Sequence, residues 1–165
     1  MNYLDIDAFF PHYDMDQNCR TCIIYSDTTK EFVPLNVSQY ARRLYFLAKL
    51  NKDALHNWSK QILNTATNLP LLITDKLIFI PVKFKPHPYT PGHAFTFGYI
   101  NYNAISFYSS HEVILKNQII LNTISPHPFI DKKIRDATLL SYAYRETTSQ
   151  TPSRSPLSQL SIWTP

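Results

Sequence analysis

Three groups of residues in this 165-residue chain have types and spacings that can do chemistry. The first is cationic. Arg42, Arg43, Lys52 and Lys60 fall in one stretch, Lys83 and Lys85 in a second, and Lys132, Lys133 and Arg135 in a third. Guanidinium and ammonium groups on one connected surface bind phosphates, and neutral donors beside them fix the register. The competing reading is a set of solvated helix faces, where surface charges ordinarily sit. The second group is Cys19-x-x-Cys22. Zinc needs two further ligands at matching spacing, and a redox pair needs to open a helix in a βαβ unit. The chain has no second CxxC and no HxxxH, so both thiols are expected to be reduced and dispensable. The third group is His87 and His93, which flank a proline-rich segment; a metal there would need a third donor from elsewhere. No metal or cofactor is expected.

Catalytic signatures are missing. GxSxG and HExxH do not occur, and two glycines, Gly92 and Gly98, allow neither GxGxxG nor a Walker loop. The chain therefore reads as a non-enzyme. Its net charge of +4 is uneven. Asp5, Asp7, Asp14 and Asp16 stand in the first sixteen residues without a single cation, which leaves the remainder with sixteen basic and eight acidic side chains. An acidic leader thus precedes a basic body whose field suits nucleic acid or an anionic surface. No apolar run has the length of a membrane span, and the first residues lack a signal peptide's cationic start. A cytoplasmic protein is expected, with no membrane partner.

The elements that must carry these groups follow from periodicity. Eleven Tyr, ten Phe and twelve Pro favour short strands and stiff turns. Thr21–Tyr25 and Glu31–Leu35 read as a hairpin about Ser26–Thr29. Ser38 reads as an N-cap, and Tyr40, Leu44, Leu47 and Leu50 recur at helical spacing, as do Leu55, Trp58 and Ile62. From Leu71 the period becomes two. Pro81 demotes its strand to an edge or a bulge. Phe95–Tyr99, Ile105–Tyr108, Val113–Leu115 and Ile119–Leu121 alternate as an antiparallel meander. Pro128 then suits the first turn of a helix whose buried stripe is Ile130, Ile134, Ala137, Leu140 and Tyr144. The expected fold class is α+β: an antiparallel sheet made of an N-terminal hairpin and a central meander, two helices near 38–64 and a closing helix near 128–146.

The order of these pieces resembles the ComK family, the competence transcription factors of Gram-positive bacteria. The likeness runs from about Cys22 to about Arg145. It is carried by Arg42-Arg43-Leu44-Tyr45-Phe46, where the family has a basic residue before paired aromatics. It continues through Asn68-Leu69-Pro70 before an apolar strand, Ile78-Phe79-Ile80-Pro81, and the aromatic-led strand Phe97-Gly98-Tyr99-Ile100. The hairpin Glu112–Leu121 and the run Ile124-Ser125 with Phe129, Arg135 and Ala137 complete it. Phe97 stands where the family has Trp, and Gln118 follows Asn117 where the family turn has Gly. The segment by which a proteolytic adaptor recognises some members is not visible in Thr147–Pro165. The chain thus looks like a distant, shortened member.

The resemblance implies a self-associating activator of DNA-uptake genes that binds double-stranded A/T-rich boxes, largely through the minor groove. It also implies a possible proteolytic adaptor as partner. The expected organisation is an acidic leader at 1–18, a DNA-binding domain at 19–146 and a flexible tail at 147–165. Candidate DNA contacts are Arg42, Arg43, Lys52, Lys60, Lys83, Lys85, Lys132, Lys133 and Arg135. The alternative is a protein-interaction or regulatory module that lacks DNA binding.

Overall fold

The computed structural model describes residues 2–13, 19–86 and 95–150, with residues 19, 20 and 150 given by backbone alone. Along them run β1 (Ile6–Tyr13), β2 (Cys19–Tyr25), β3 (Lys30–Val33), α1 (Val37–Leu47), α2 (Lys52–Leu63), β4 (Leu71–Leu72), β5 (Ile78–Phe84), β6 (Thr96–Asn101), β7 (Ile105–Tyr108), β8 (Glu112–Leu115), β9 (Ile120–Asn122) and α3 (His127–Gln150). The class is α+β, with antiparallel sheets and a closing helix. Six strands form one sheet in the order β3-β2-β1-β6-β5-β4, and three form another in the order β7-β8-β9.

Two boundaries differ from those expected. The leader is not separate from the body: Ile6–Tyr13 is an inner strand, paired with β2 along its length and with β6 through Ala8 and Phe9. The carboxylate of Asp7 hid it. Asp7 is buried, and burial raises its pKa. It accepts a hydrogen bond from Ser26 Oγ at 2.8 Å and faces Asn117 Nδ2 at 3.3 Å, which ties the β8–β9 turn to the large sheet. The meander also divides. Phe97 and Tyr99 belong to β6 in the large sheet, and β7 to β9 stand apart from it. The closing helix continues to Gln150; of the expected tail, residues 151–165 lie outside those described.

Directly opposed residues of paired strands share a face. On one face Phe9 opposes both Ile23 and Tyr99. Tyr40 of α1 meets Phe9 at 5.2 Å, and Phe129 of α3 stacks on Phe97 at 6.4 Å. Helices therefore cover this face. On the other, Phe10 stacks on Phe84 at 5.2 Å, and Ile119–Asn122 lines a cavity with Phe10, Ile24 and Phe84. The three-stranded sheet lies on that side. Cys22 opposes Phe10 there and is buried in the core. It is thus a packing residue of the core.

The chain passes between the two faces around β5. Ile124 N–H donates to Lys83 O at 2.9 Å, and Ser125 Oγ accepts from Lys83 N–H at 2.7 Å. By strand alternation the position of Pro81 turns to this same edge, where β4 has already ended. Its missing N–H therefore removes no ladder bond, which satisfies the edge placement read from the sequence.

Glycine scarcity has two structural consequences. Gly98 lies beneath the Phe10–Phe84 stack, and a Cβ there would be 2.6 Å from Phe10 Cβ and 2.6 Å from Phe84 Cε2. Elsewhere, left-handed positions fall to other residues: Thr28, Lys49, Asn64, Asn68 and Gln118 have φ between 51° and 77°. Gly98→Ala is expected to lower stability in urea unfolding by about 1–3 kcal/mol through overpacking. Gln118→Gly, at φ 77°, is expected to raise it by about 0.5–1 kcal/mol, since relief of left-handed strain exceeds the added chain entropy.

Candidate nucleic-acid interface

Helix α1 begins two residues earlier than the Ser38 cap implies. Asn36 is the N-cap: its Oδ1 accepts Gln39 N–H at 2.8 Å, and Gln39 Oε1 accepts Asn36 N–H at 3.0 Å. This reciprocal box fixes the first turn. Val37, Tyr40, Ala41, Leu44 and Tyr45 are the buried face. The helix ends at Leu47, and just beyond it Lys49, with φ of 57°, turns the chain while Leu50 N–H returns to Tyr45 O at 2.9 Å. With that phase fixed, Ser38, Gln39, Arg42, Arg43, Phe46 and Leu47 are exposed. Leu47, expected in the core stripe, is 45% exposed, and Phe46 is 79% exposed.

Anchoring comes from two tyrosines. Burial pushes the Tyr40 phenol up to about 12, with the Glu31 carboxylate adding to the shift. Burial also raises Tyr45, against a hydrogen bond from the Leu72 backbone. Arg43 borders a cavity of about 630 Å³ with Tyr25, Glu31 and Tyr40, and its charge partly offsets the rise at Tyr40.

Helix α2 is capped by Asn51, whose Oδ1 accepts Ala54 N–H at 3.0 Å. It buries Ala54, Leu55, Trp58 and Ser59 and turns Lys52, His56 and Lys60 along one side at four-residue steps. Burial, then Lys52 and Lys60, lowers the pKa of His56, so it is neutral at pH 7 and adds no charge to the stripe. Between Glu31 and Asp53 the chain contains no carboxylate side chain, while Arg42, Arg43, Lys49 and Lys52 contribute four positive charges. Arg42, Arg43 and Lys60 are exposed and Lys52 is half-exposed.

The remaining cations divide. Lys83 is half-buried, with its Nζ 4.7 Å from the Phe95 ring and 4.9 Å from the Phe129 ring. Lys85 is exposed and borders a separate cavity of about 550 Å³ with Lys30 and Phe84. Lys132 and Arg135 are exposed on α3. Lys133 is not available for a phosphate: it is 3% exposed, its Nζ donates to Asn68 O at 2.7 Å, and Asp136 Oδ2 lies 3.5 Å away. Burial lowers its pKa against the pull of Asp136. One residue of helical rotation separates a solvated lysine from an internal tie, and charge spacing alone cannot tell them apart. Lys83 and Lys133 meet around Phe129, whereas Arg42, Arg43, Lys52 and Lys60 belong to the α1–α2 segment.

Phe46 and Leu47 are the functional candidates that residue type concealed. For Phe46 the signal is helical phase, since it stands four residues after Arg42 and off the Tyr40–Leu44 stripe; Leu47 keeps the stripe's spacing, and its exposure shows only in the fold. Burial also pushes the Cys22 thiol up, opposite to what thiolate chemistry needs. Among the described residues no group of three or more His, Cys, Asp or Glu can hold a metal, and no helix is long and apolar enough to cross a membrane. His87 and His93 lie outside the described residues. No protein-family model, curated protein or solved structure matches the chain.

Lys133→Ala is expected to lower stability in urea unfolding by about 2–4 kcal/mol, because it leaves the Asn68 carbonyl and the Asp136 carboxylate unpaired. Lys132→Ala should change stability by less than about 0.5 kcal/mol. A second expectation concerns pH. Unfolded phenols ionise near pH 10, whereas folded Tyr40 keeps its proton to about 12. Between these values the folded state binds more protons, so stability should fall as pH rises. Tyr40→Phe should remove that share of the fall between pH 10 and 12 in urea unfolding; a pH dependence unchanged from wild type would show that Tyr40 is not held this way.

Proposed function

We propose that this chain is a DNA-binding transcription activator of the competence type, self-associating and cytoplasmic, that takes A/T-rich duplex boxes largely through the minor groove. The observation that carries the reading is the outward face of α1, where Arg42 and Arg43 are exposed in a stretch free of carboxylates. Phosphate attraction supplies affinity without sequence information. The donor–acceptor pattern of the minor groove is degenerate, so discrimination there rests on groove width and on the guanine amino group. A narrow A/T groove concentrates negative potential and favours arginine. Arg42 and Arg43 are therefore assigned to the groove, with Arg135 of α3 as a further candidate. Lys52, Lys60, Lys85 and Lys132 are assigned to phosphates. Lys83, held between two rings, has a smaller part and Lys133 none.

The ComK resemblance supports the same reading. Its turn glycine falls at Gln118, and the φ of 77° there is the conformation glycine adopts freely. The protein-interaction alternative draws on Phe32 of edge strand β3 and Ile120 of β9, both about half exposed.

Equilibrium binding of the full chain to A/T-rich and G/C-rich duplexes over a salt series separates the two. Arg42→Ala or Arg43→Ala should cost about 1–3 kcal/mol on the A/T duplex and narrow its advantage over the G/C duplex. Lys132→Ala should weaken both duplexes about equally and reduce the salt slope by about one unit. A folded chain with no saturable duplex binding at about 100 mM salt would leave the interaction module as the reading.

A further inference from the structure

We infer that Phe46, backed by Leu47, is an apolar wedge that enters a base step of the bound duplex and kinks it. The inference deepens the duplex-binding reading and rests on it. Phe46 is 79% exposed, the most exposed of the large hydrophobic side chains among the described residues, and Leu47 beside it is 45% exposed. Nothing in local folding requires either. The buried face of α1 is complete without them, and the helix is closed by backbone bonds from Ala48, Lys49 and Leu50. A phenylalanine kept in water at this position leaves most of its apolar surface unused by the fold.

What surrounds the ring defines the occupant. Ser38, Arg42 and Phe46 follow one another at four-residue steps, and Arg43 precedes Leu47 by the same step. Lys49 stands just past the helix end, exposed, and Lys52 opens the next helix. A second copy of the same face would set these cations against their own kind, which opposes a symmetric apolar contact here. A polyanion with an apolar interior accepts both features together. Duplex DNA has that construction, with phosphates outside and a stack of flat bases that an apolar wedge can part from the minor-groove side. The helical rise from Arg42 to Phe46 is about 6 Å. That is under two base steps of about 3.4 Å each, so a guanidinium in the groove and a ring at the neighbouring step fit one binding event.

Wedges of this kind unstack a step and bend the duplex by about 20–90°. The test uses the full chain and an A/T-rich duplex labelled at both ends for energy transfer, with 2-aminopurine replacing one adenine of the box. Wild type should bind, shorten the end-to-end distance and raise 2-aminopurine fluorescence. Phe46→Ala should lose the bend and the fluorescence rise and bind about tenfold more weakly, while keeping the wild-type salt slope. Phe46→Leu, still a wedge, should keep most of the bend. Binding by wild type without bending or unstacking would overturn the wedge and leave the DNA-binding reading standing, as would a Phe46→Ala variant that bends as well as wild type. Absence of binding by a folded wild-type chain would overturn both. Dissociation of a DNA-free oligomer by Phe46→Ala, seen in sedimentation equilibrium, would overturn the wedge by assigning the ring to self-association.

Discussion

The arrangement turns on one ring. Phe9 is fully buried and lies 5.2 Å from Tyr40 of α1, 5.1 Å from Phe79 of β5 and 5.3 Å from Tyr99 of β6. Two of these contacts are edge-on and one is stacked, geometries that favour aromatic pairs beyond the area they bury. Three segments far apart in sequence therefore converge on a residue of the N-terminal strand. The rotation of α1 about its axis is set here. With Tyr40 on Phe9, the arginines two and three residues later must turn outward, and the ring six residues later turns with them.

Behind Phe9, on the opposite face, the sheet is squeezed. Gly98 lets Phe10 and Phe84 stack above it, and nothing larger fits. The two faces are thus filled differently, one by rings meeting helices and the other by a stack beside the second sheet. Ser125, fully buried, closes the path between them by accepting the Lys83 N–H. From that bond α3 starts on the helical face, which explains why Phe129 and Lys133 reach Lys83 and Asn68 while Lys132 faces water. Positive charge in this fold is divided between structure and surface by helix rotation, not by cluster membership.

How much of this was legible depended on whether pattern and burial agreed. The three helices could be read because apolar residues recur at three and four residues and partial errors of phase left the stripe intact. The α3 stripe was right at Ile130, Ala137, Leu140 and Tyr144. Strand β1 was missed because Asp7 interrupts its apolar residues, and Asp7 can be buried because Ser26 and Asn117, the second more than a hundred residues away, donate to it. Lys133 was misjudged for the same reason: its acceptor, the Asn68 carbonyl, belongs to a loop before β4. The division of the meander into two sheets followed from pairing partners, and alternation specifies faces, not neighbours. Phe46 was readable in principle, since its helical phase put it off the stripe, but an aromatic residue is counted toward a core unless phase is checked residue by residue.

A surface that separates stacked bases must itself be stiff, because the work of unstacking is done by whichever partner yields less. Helix α1 has that property from both ends and from below. The Asn36–Gln39 box holds its first turn, the left-handed Lys49 with the Leu50 return bond holds its last, and Tyr40 and Tyr45 fasten its middle to the core. A helix frays from its ends, so caps at both termini matter most where the residues of the proposed wedge, Phe46 and Leu47, occupy the final turn. The lysines assigned to phosphates need no such mounting. In the proposed complex their long side chains would follow the backbone of a deformed duplex, and Lys60 and Lys132 are exposed. On the proposed reading, arginines and a ring mounted on a fixed helix and adaptable lysines elsewhere are a division of labour that suits the bending of a stiff polyanion, since bending energy is repaid by contacts that form only after the bend.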